Sequence, residues 1–286
     1  MGQYLAFDLG AESGRAIAGE LSNGQLQVDE LHRFPNTPVR DGDSLCWDTE
    51  RLWQEVRHGL DVAVRERNLA LDGIGVDTWG VDFGLLGADG QLVEKARHYR
   101  DSRNNGMMEK VFECVPREEV FEYTGIQFMQ INTLYQLYSM KLAGSPALNA
   151  GRQLLHIPDL FNYWLTGMAK SEATIASTSQ FFNPGSMSWA TELLHRLDLP
   201  VELLCPLILP GTLLGKTMEP PSTPVYATAG HDTASAVAAV PAEGGGNWCY
   251  ISSGTWSLMG LEMDRPVIDI PPTKYSFKAR VNRPIA

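Results

Sequence analysis

Residues 227–240, "ATAGHDTASAVAAV", set His231 and Asp232 between small residues ending at Gly230 and an Ala-rich run. An Asp in the first turn of a helix is held as a carboxylate by the positive end of the helix. Clear of bulky neighbours, it can serve as a base toward a hydroxyl group brought close to the backbone. The plainer use of the same residues is an Asp cap. In "FDLGAESGR" (residues 7–15), Gly10 and Gly14 allow a tight turn whose N–H groups point at one anion. Ser13 adds a hydroxyl, Arg15 a fork of donors, and Asp8 a carboxylate able to hold Mg²⁺ through water. An ordinary hairpin turn with an exposed Arg would use the same letters. "DTWGVD" gathers Asp77, Trp79 and Asp82 around Gly80. There a missing side chain lets a ligand touch the backbone, or a Trp simply packs a structural turn.

One phosphate-binding look-alike fails on spacing. "GTLLGKT" (residues 211–217) is one residue short between its glycines for a P-loop, G-x-x-x-x-G-K-[ST], which must also lead into a helix. "MEPP" follows instead, and Pro220-Pro221 stops a helix within a turn. A surface turn is the expectation.

Each polar turn needs elements to hold it. "YLAFDLG" reads as a buried strand and "AIAGEL" (residues 16–21) as its hairpin partner. In "DTERLWQEVRHGLDVAVRERN", Leu52, Val56 and Leu60 recur at helical spacing with Trp53 and Ala63 beside them, and Asp48 is placed to cap. "IGVDTWGVDFGLL" is strand, tight turn, strand. "NTLYQLYSMKLAG" and "IPDLFNYWLTG" are short helices closed by glycine. "PVYATAG" is a buried strand ending at Gly230, and "TASAVAAVP" a helix stopped by Pro241. The alternation gives an α/β class.

"AEGGGN" (residues 242–247) reads as a linker. After it, "WCYISSGTWSLMGLE" repeats the pattern of the first hairpin, an apolar pair of strands with Ser and Gly at the tip, which suggests a duplicated domain. The expected division is 1–244 and 245–286, the second part being only the start of a domain. The end, "DIPPTKYSFKARVNRPIA", has no clear period and turns basic; residues 267–286 read as a foreign or frame-shifted tail.

The chain has 286 residues, 44% apolar and 20% charged, with a net charge of −11. That balance, without a Lys/Arg cluster, argues against a nucleic-acid partner. No apolar run is long enough for a membrane span, and "MGQYLAFDLG" opens directly on a strand without a leader. Cys46, Cys114, Cys205 and Cys249 are far apart, with no C-x-x-C pair, and read as reduced thiols of a cytoplasmic protein.

In this order, "FDLGAESGR", "GVDTWGVDFGLL", "YRDSR", "IPDLFNYWLTG", "ATAGHDTASA" and "YISSGTWSLMG" resemble the FGGY carbohydrate kinases over residues 4–262. "DTWGVDFGLL" and "GHDTASA" stand nearer the members acting on L-rhamnulose than those acting on xylulose or glycerol. The resemblance implies an actin-like, ribonuclease H-like sugar-kinase fold of two domains, with sugar and ATP in the cleft between them. It implies transfer of the ATP γ-phosphoryl group to the 1-hydroxyl of L-rhamnulose, with Mg²⁺, in L-rhamnose breakdown. By the same resemblance Ala11, Glu12, Ser13, Gly14 and Arg15 contact ATP phosphates. Gly80, His231, Asp232 and Thr233 hold the sugar, Asp232 is the base, and Thr255 is the second domain's phosphate contact. No residue is assigned as a direct metal ligand. Glu12 departs from the small residue usual there, and a carboxylate beside a triphosphate is unfavourable. Past Pro266 nothing matches; the resemblance implies that the family's adenosine pocket and its further sugar and ATP contacts lie in a stretch outside this sequence.

The partners expected are a ketose and ATP, with no nucleic acid or membrane, and a monomeric state. Three rivals remain: an inactive sugar-binding fragment, a kinase for another 2-ketose, and an actin-like ATPase or filament protein.

Overall fold

Alternating apolar residues make β1 (Gly2–Leu9) a one-sided strand: Leu5, Phe7 and Leu9 are buried while Tyr4 is exposed. It pairs antiparallel with β2 (Ser13–Ser22), from Gly2 opposite Leu21 to Leu9 opposite Gly14, so the hairpin read from the sequence is present with its second strand starting three residues early. The computed structural model describes residues 2–242, 248–253, 257–263 and 265–268. β3 (Gln25–Pro35) extends the sheet beyond β2. On the other side of β1, β4 (Gly73–Thr78) runs parallel, with Asp77 beside Asp8. β5 (Leu213–Lys216) and β6 (Pro224–Tyr226) complete a six-stranded sheet in the order β5-β6-β4-β1-β2-β3, β6 being parallel to β4.

α1 (Thr49–Asp61) begins where the Asp48 carboxylate accepts the Arg51 N–H at 3.2 Å. Its Leu52, Val56 and Leu60 stripe joins Leu5, Phe7 and Leu9 in one core. α2 (Ile157–Thr166), closed by Gly167 at φ 75°, adds Ile157, Phe161 and Leu165 to the same core beside Ile74 and Val76. Burying each such side chain contributes about 1.5–3 kcal/mol. A second core, with Val111, Leu134, Tyr135, Phe181 and Leu193, sits under the helical region that follows β4.

Three readings are refined. The strand after the Gly80 turn, Phe83–Leu86, leaves the main sheet and pairs with Gln153–His156, so "IGVDTWGVDFGLL" is two strands of different sheets. "PVYATAG" is regular only to Tyr226, although the Thr78 N–H still reaches the Gly230 carbonyl at 2.9 Å. The "GTLLGKT" stretch is β5 and its preceding turn, with no helix after it.

Beyond α3 (Ala173–Ala176) and α4 (Asp232–Ala238), strands Cys249–Ser253 and Ser257–Leu261 form the expected second hairpin. Ile251 and Met259 are each 71% exposed on it. The expected boundary at residue 244, Thr255 and residues 269–286 lie outside the described residues. Among the described residues no helix is long and apolar enough to cross a membrane.

Candidate active site

The parallel strands β1, β4 and β6 point their C-terminal ends to one edge of the sheet, the place where open α/β sheets bind ligands. The Trp79 N–H donates to the Leu9 carbonyl at 3.2 Å and the Thr78 N–H to the Gly230 carbonyl, which draws three polar turns together. Asp8 and Asp77 are direct neighbours across β1 and β4. Burial pushes the Asp77 carboxyl well above the usual range; the charges of Asp8 and Asp232 push the same way, and Arg15 opposes them. Three carboxylates, two from strand ends and one from the first turn of α4, therefore share one field. Arg15 pairs with Asp8 at 3.0 Å, and its buried Nε has no hydrogen-bond partner.

The candidate phosphate turn is held differently from the expectation. Gly10 donates to the Ser13 carbonyl at 2.9 Å. Asn36 binds the turn twice, its N–H donating to the Glu12 carbonyl at 2.9 Å and its Nδ2 to the Gly10 carbonyl at 2.8 Å. Gly14 does not serve the turn: it lies within β2, and a Cβ there would run into the Phe34 ring. The glycine is needed for packing. Ser13 opens β2, Ala11 is half-buried, and Glu12 is exposed, so its carboxylate turns to solvent.

At the second turn the absence of a Gly80 side chain makes a notch. A Cβ there would stand 3.1 Å from the Thr178 methyl and 3.2 Å from His231 Nε2. The next residue, Val81, has φ 71°, a conformation costly for a β-branched residue, by about 1–3 kcal/mol. The Asp82 N–H closes the turn onto the Gly80 carbonyl at 3.0 Å. Hydrogen bonds hold the strain in place: Val81 N–H to Thr178 Oγ1 at 3.0 Å, and Thr133 Oγ1 to the Val81 carbonyl at 2.6 Å. Asp82, one of the polar groups gathered around Gly80 in the sequence, is fully buried. It accepts from the indole N–H groups of Trp47 (2.5 Å) and Trp79 (3.0 Å), the Tyr99 N–H and the Gln136 amide (2.9 Å). Burial raises its pKa to about 6 against the pull of these donors. Trp79 packs 4.1 Å from Trp47 and is 4% exposed, so the turn's large aromatic is structural.

His231 caps α4, and Asp232 is its first residue. The imidazole Nε2 lies 3.3 Å from the Asp232 carboxylate, which also accepts from the Thr233 N–H and, at 3.0 Å, from the Thr233 hydroxyl. The Asp232 side chain is 41% exposed while that of His231 is 9%, so the carboxylate is reachable and the imidazole is fixed beneath it. Thus Gly80, His231, Asp232 and Thr233 are brought to one notch. Sequence reasoning missed Glu172. This buried residue accepts the Gly230 N–H at 2.9 Å and also caps α3. Its neighbour Asp159 is driven well above the usual carboxyl range by burial and by the Glu172 charge. A polar pair inside "IPDLFNYWLTG" and "KSEAT" was the available signal.

No group of three or more His, Cys, Asp or Glu among the described residues is close enough to chelate a metal ion. A cation here would need water or phosphate oxygens as further ligands. A separate groove of about 760 Å³, lined in part by Lys141, Arg152, His195 and Asp198, shares no residue with these turns.

The sheet, with carboxylates at its parallel strand ends, belongs to the α/β class, and residues 3–238 match the FGGY family of carbohydrate kinases, N-terminal domain. The chain belongs to the FGGY family of carbohydrate kinases. Within it, the chain is 43% identical over 281 residues to the rhamnulokinase of Bacteroides thetaiotaomicron, covering 96% of this chain and 58% of that one. It is 38% identical to the rhamnulokinase of Oceanobacillus iheyensis, with 96% and 59% covered. The chain thus spans under three-fifths of the length of these relatives. Among solved structures, a carbohydrate kinase from Novosphingobium aromaticivorans superposes with TM-score 0.79 at 21% identity, over 94% of this chain and 57% of that chain. A ligand-bound xylulose kinase from Lactobacillus acidophilus gives 0.71 at 14%, over 80% and 49%. These two likenesses speak for the fold.

Proposed function

We propose that this chain is the sugar-binding part of a kinase that transfers the γ-phosphoryl group of ATP to the 1-hydroxyl of L-rhamnulose. The observation that carries the reading is the notch: Gly80 opposite the fixed His231 ring, with the reachable Asp232 carboxylate next to it. The relatives named rhamnulokinase supply the choice of sugar. In this reading Gly80 and Thr233 seat the ketose, and His231 orients it. Asp232 accepts the proton of the attacking hydroxyl, a role that contributes typically about 10²–10⁴-fold in rate. Most of the remaining work in phosphoryl transfer is positioning and charge stabilisation.

ATP and Mg²⁺ supply the phosphoryl group and the charge neutralisation. The residues present suit them: Arg15 carries a buried Nε without a partner, and Asp8 and Asp77 crowd negative charge at the same edge. Ala11, Glu12, Ser13, Gly14 and Arg15 line the phosphate side in this proposal, with Asp8 facing the cation and Thr255 completing the site from residues 245–286. The division at 244 belongs to the same proposal. A cytoplasmic monomer is the setting it expects, and four unpaired cysteines are in keeping with a reducing compartment.

The first test is binding. Calorimetry of the folded 286-residue chain with L-rhamnulose should give a weak, saturable signal, stronger than for other 2-ketoses. Absence of any ketose binding overturns the sugar reading; equal binding of several overturns the choice of sugar.

A further inference from the structure

The Gly80 turn and the Gly230–His231 turn come from different strands, yet one short segment grips both. That segment is residues 171–180, "SEATIASTSQ", built around the single helical turn of α3. At its start Glu172 accepts the Gly230 N–H at 2.9 Å. Thr174 accepts the His231 N–H at 3.3 Å through its hydroxyl, which itself donates to Glu172 at 2.6 Å. At its far end Thr178 accepts the Val81 N–H at 3.0 Å, and its methyl group walls the Gly80 notch. The Thr178 hydroxyl is pinned in turn by donating to the Ile175 carbonyl at 2.8 Å. Glu172 and Thr178 are 1% and 3% exposed, so neither grip is shared with solvent.

We propose that this segment is a ruler: Glu172, Thr174 and Thr178 are positioning residues that set the separation between Gly80 and the His231–Asp232 pair, and so which sugar fits. The inference rests on the sugar site proposed above. Its physical basis is the strained Val81 backbone, which persists only where its surroundings over-determine it. Thr178 supplies the acceptor for that residue's N–H. A one-turn helix with both ends tied transmits a shift at one turn to the other, because a packed interior does not deform continuously.

Thr178→Val keeps the branched shape and removes the acceptor, while Thr178→Ser keeps the hydroxyl. Thr174→Val, at a partly exposed position, loosens the other turn with less risk to folding. On the 286-residue chain, calorimetry with L-rhamnulose should show affinity reduced about tenfold in each Val variant, equivalent to about 1.4 kcal/mol, and restored to within about twofold of wild type in the Ser variant. Amide hydrogen exchange on the sugar-free chain should quicken at both turns, around residues 80–82 and 230–233, in either Val variant. Wild-type affinity in both Val variants, a Ser variant as weak as the Val variant, or exchange that quickens only at the turn next to the substitution overturns the ruler, whatever happens to the melting temperature. A wild-type chain that binds no ketose sinks the sugar reading instead, and the exchange experiment still decides whether the segment couples the two turns.

Discussion

Asp232 and His98 show how differently two titratable side chains are used within one chain. Asp232 is reachable, ringed by donors from Thr233, and next to an imidazole that burial holds in place. In the chain joined to the second half that its relatives possess, Asp232→Asn should lower turnover by about two to four orders of magnitude, the range for a lost general base, with the KM for sugar nearly unchanged. Wild-type turnover in the purified variant would remove Asp232 from the chemistry. His98 is 4% exposed, stacks 4.1 Å from Trp47, and accepts the Arg100 N–H at 2.9 Å through Nδ1. Burial first, and then the Arg100 charge, depress its pKa to about 4. A depressed histidine favours folding above its unfolded pKa of about 6.5, and that contribution is lost as pH falls through about 4. Asp82, raised to about 6, titrates in the opposite sense over the same range. The comparison is therefore wild type against His98→Phe, by urea denaturation at several pH values. The wild-type advantage should shrink on going from pH 7 to pH 4, and a constant difference would show that His98 is not buried as a neutral ring.

At the scale of elements, the strand ends do the placing and the helices hold the strands. α1 lies close on the sheet because Gly59 has no side chain: a Cβ would be 2.7 Å from that of Ala16 and 3.0 Å from the Phe7 ring. Neither neighbour has a flexible end to move aside. Gly59→Ala gains about 1 kcal/mol in helix propensity and loses about 1–3 kcal/mol to overpacking. A net loss of up to about 2 kcal/mol in denaturant unfolding is expected, and an unchanged or raised midpoint would mean that α1 rides higher on β1 and β2 than described. Gly14 works the same way against Phe34, which is why a glycine in a phosphate-like turn turned out to be a packing residue.

At the scale of the whole molecule, the hairpin beyond residue 247 stands out for its exposed apolar residues. Ile251, Met259 and Leu261 are 71%, 71% and 57% exposed there. A two-stranded hairpin is marginal alone, and such a face normally meets a partner. Relatives extend well past the stretch matched here, and phosphoryl transfer needs both reacting groups aligned in a site that excludes water. The 286-residue polypeptide alone should therefore show little sugar-dependent ADP release in a coupled assay with L-rhamnulose. Turnover in the ordinary kinase range of about 1–100 per second would show that these residues suffice to hold ATP.

The sequence by itself determined the first hairpin, the strand before Gly80, the α1 and α2 boundaries and the three polar glycine turns at the sheet edge, because apolar period, Asp caps and glycine punctuation act within a few residues. It also carried the family, through the order of those turns. Only the tertiary structure decided their uses. Asp82 and Trp79 share the quoted motif with Gly80, yet three donors from distant segments, joined by the Trp79 indole, make Asp82 an internal anchor, whereas Gly80 faces His231 from the far end of the chain. Gly14 owes its lack of a side chain to the Phe34 ring packed against it, and Glu172 gained a place at the site through Gly230. Burial and hydrogen bonding between residues far apart in the chain set these roles, and no local pattern encodes a partner that the fold alone brings near.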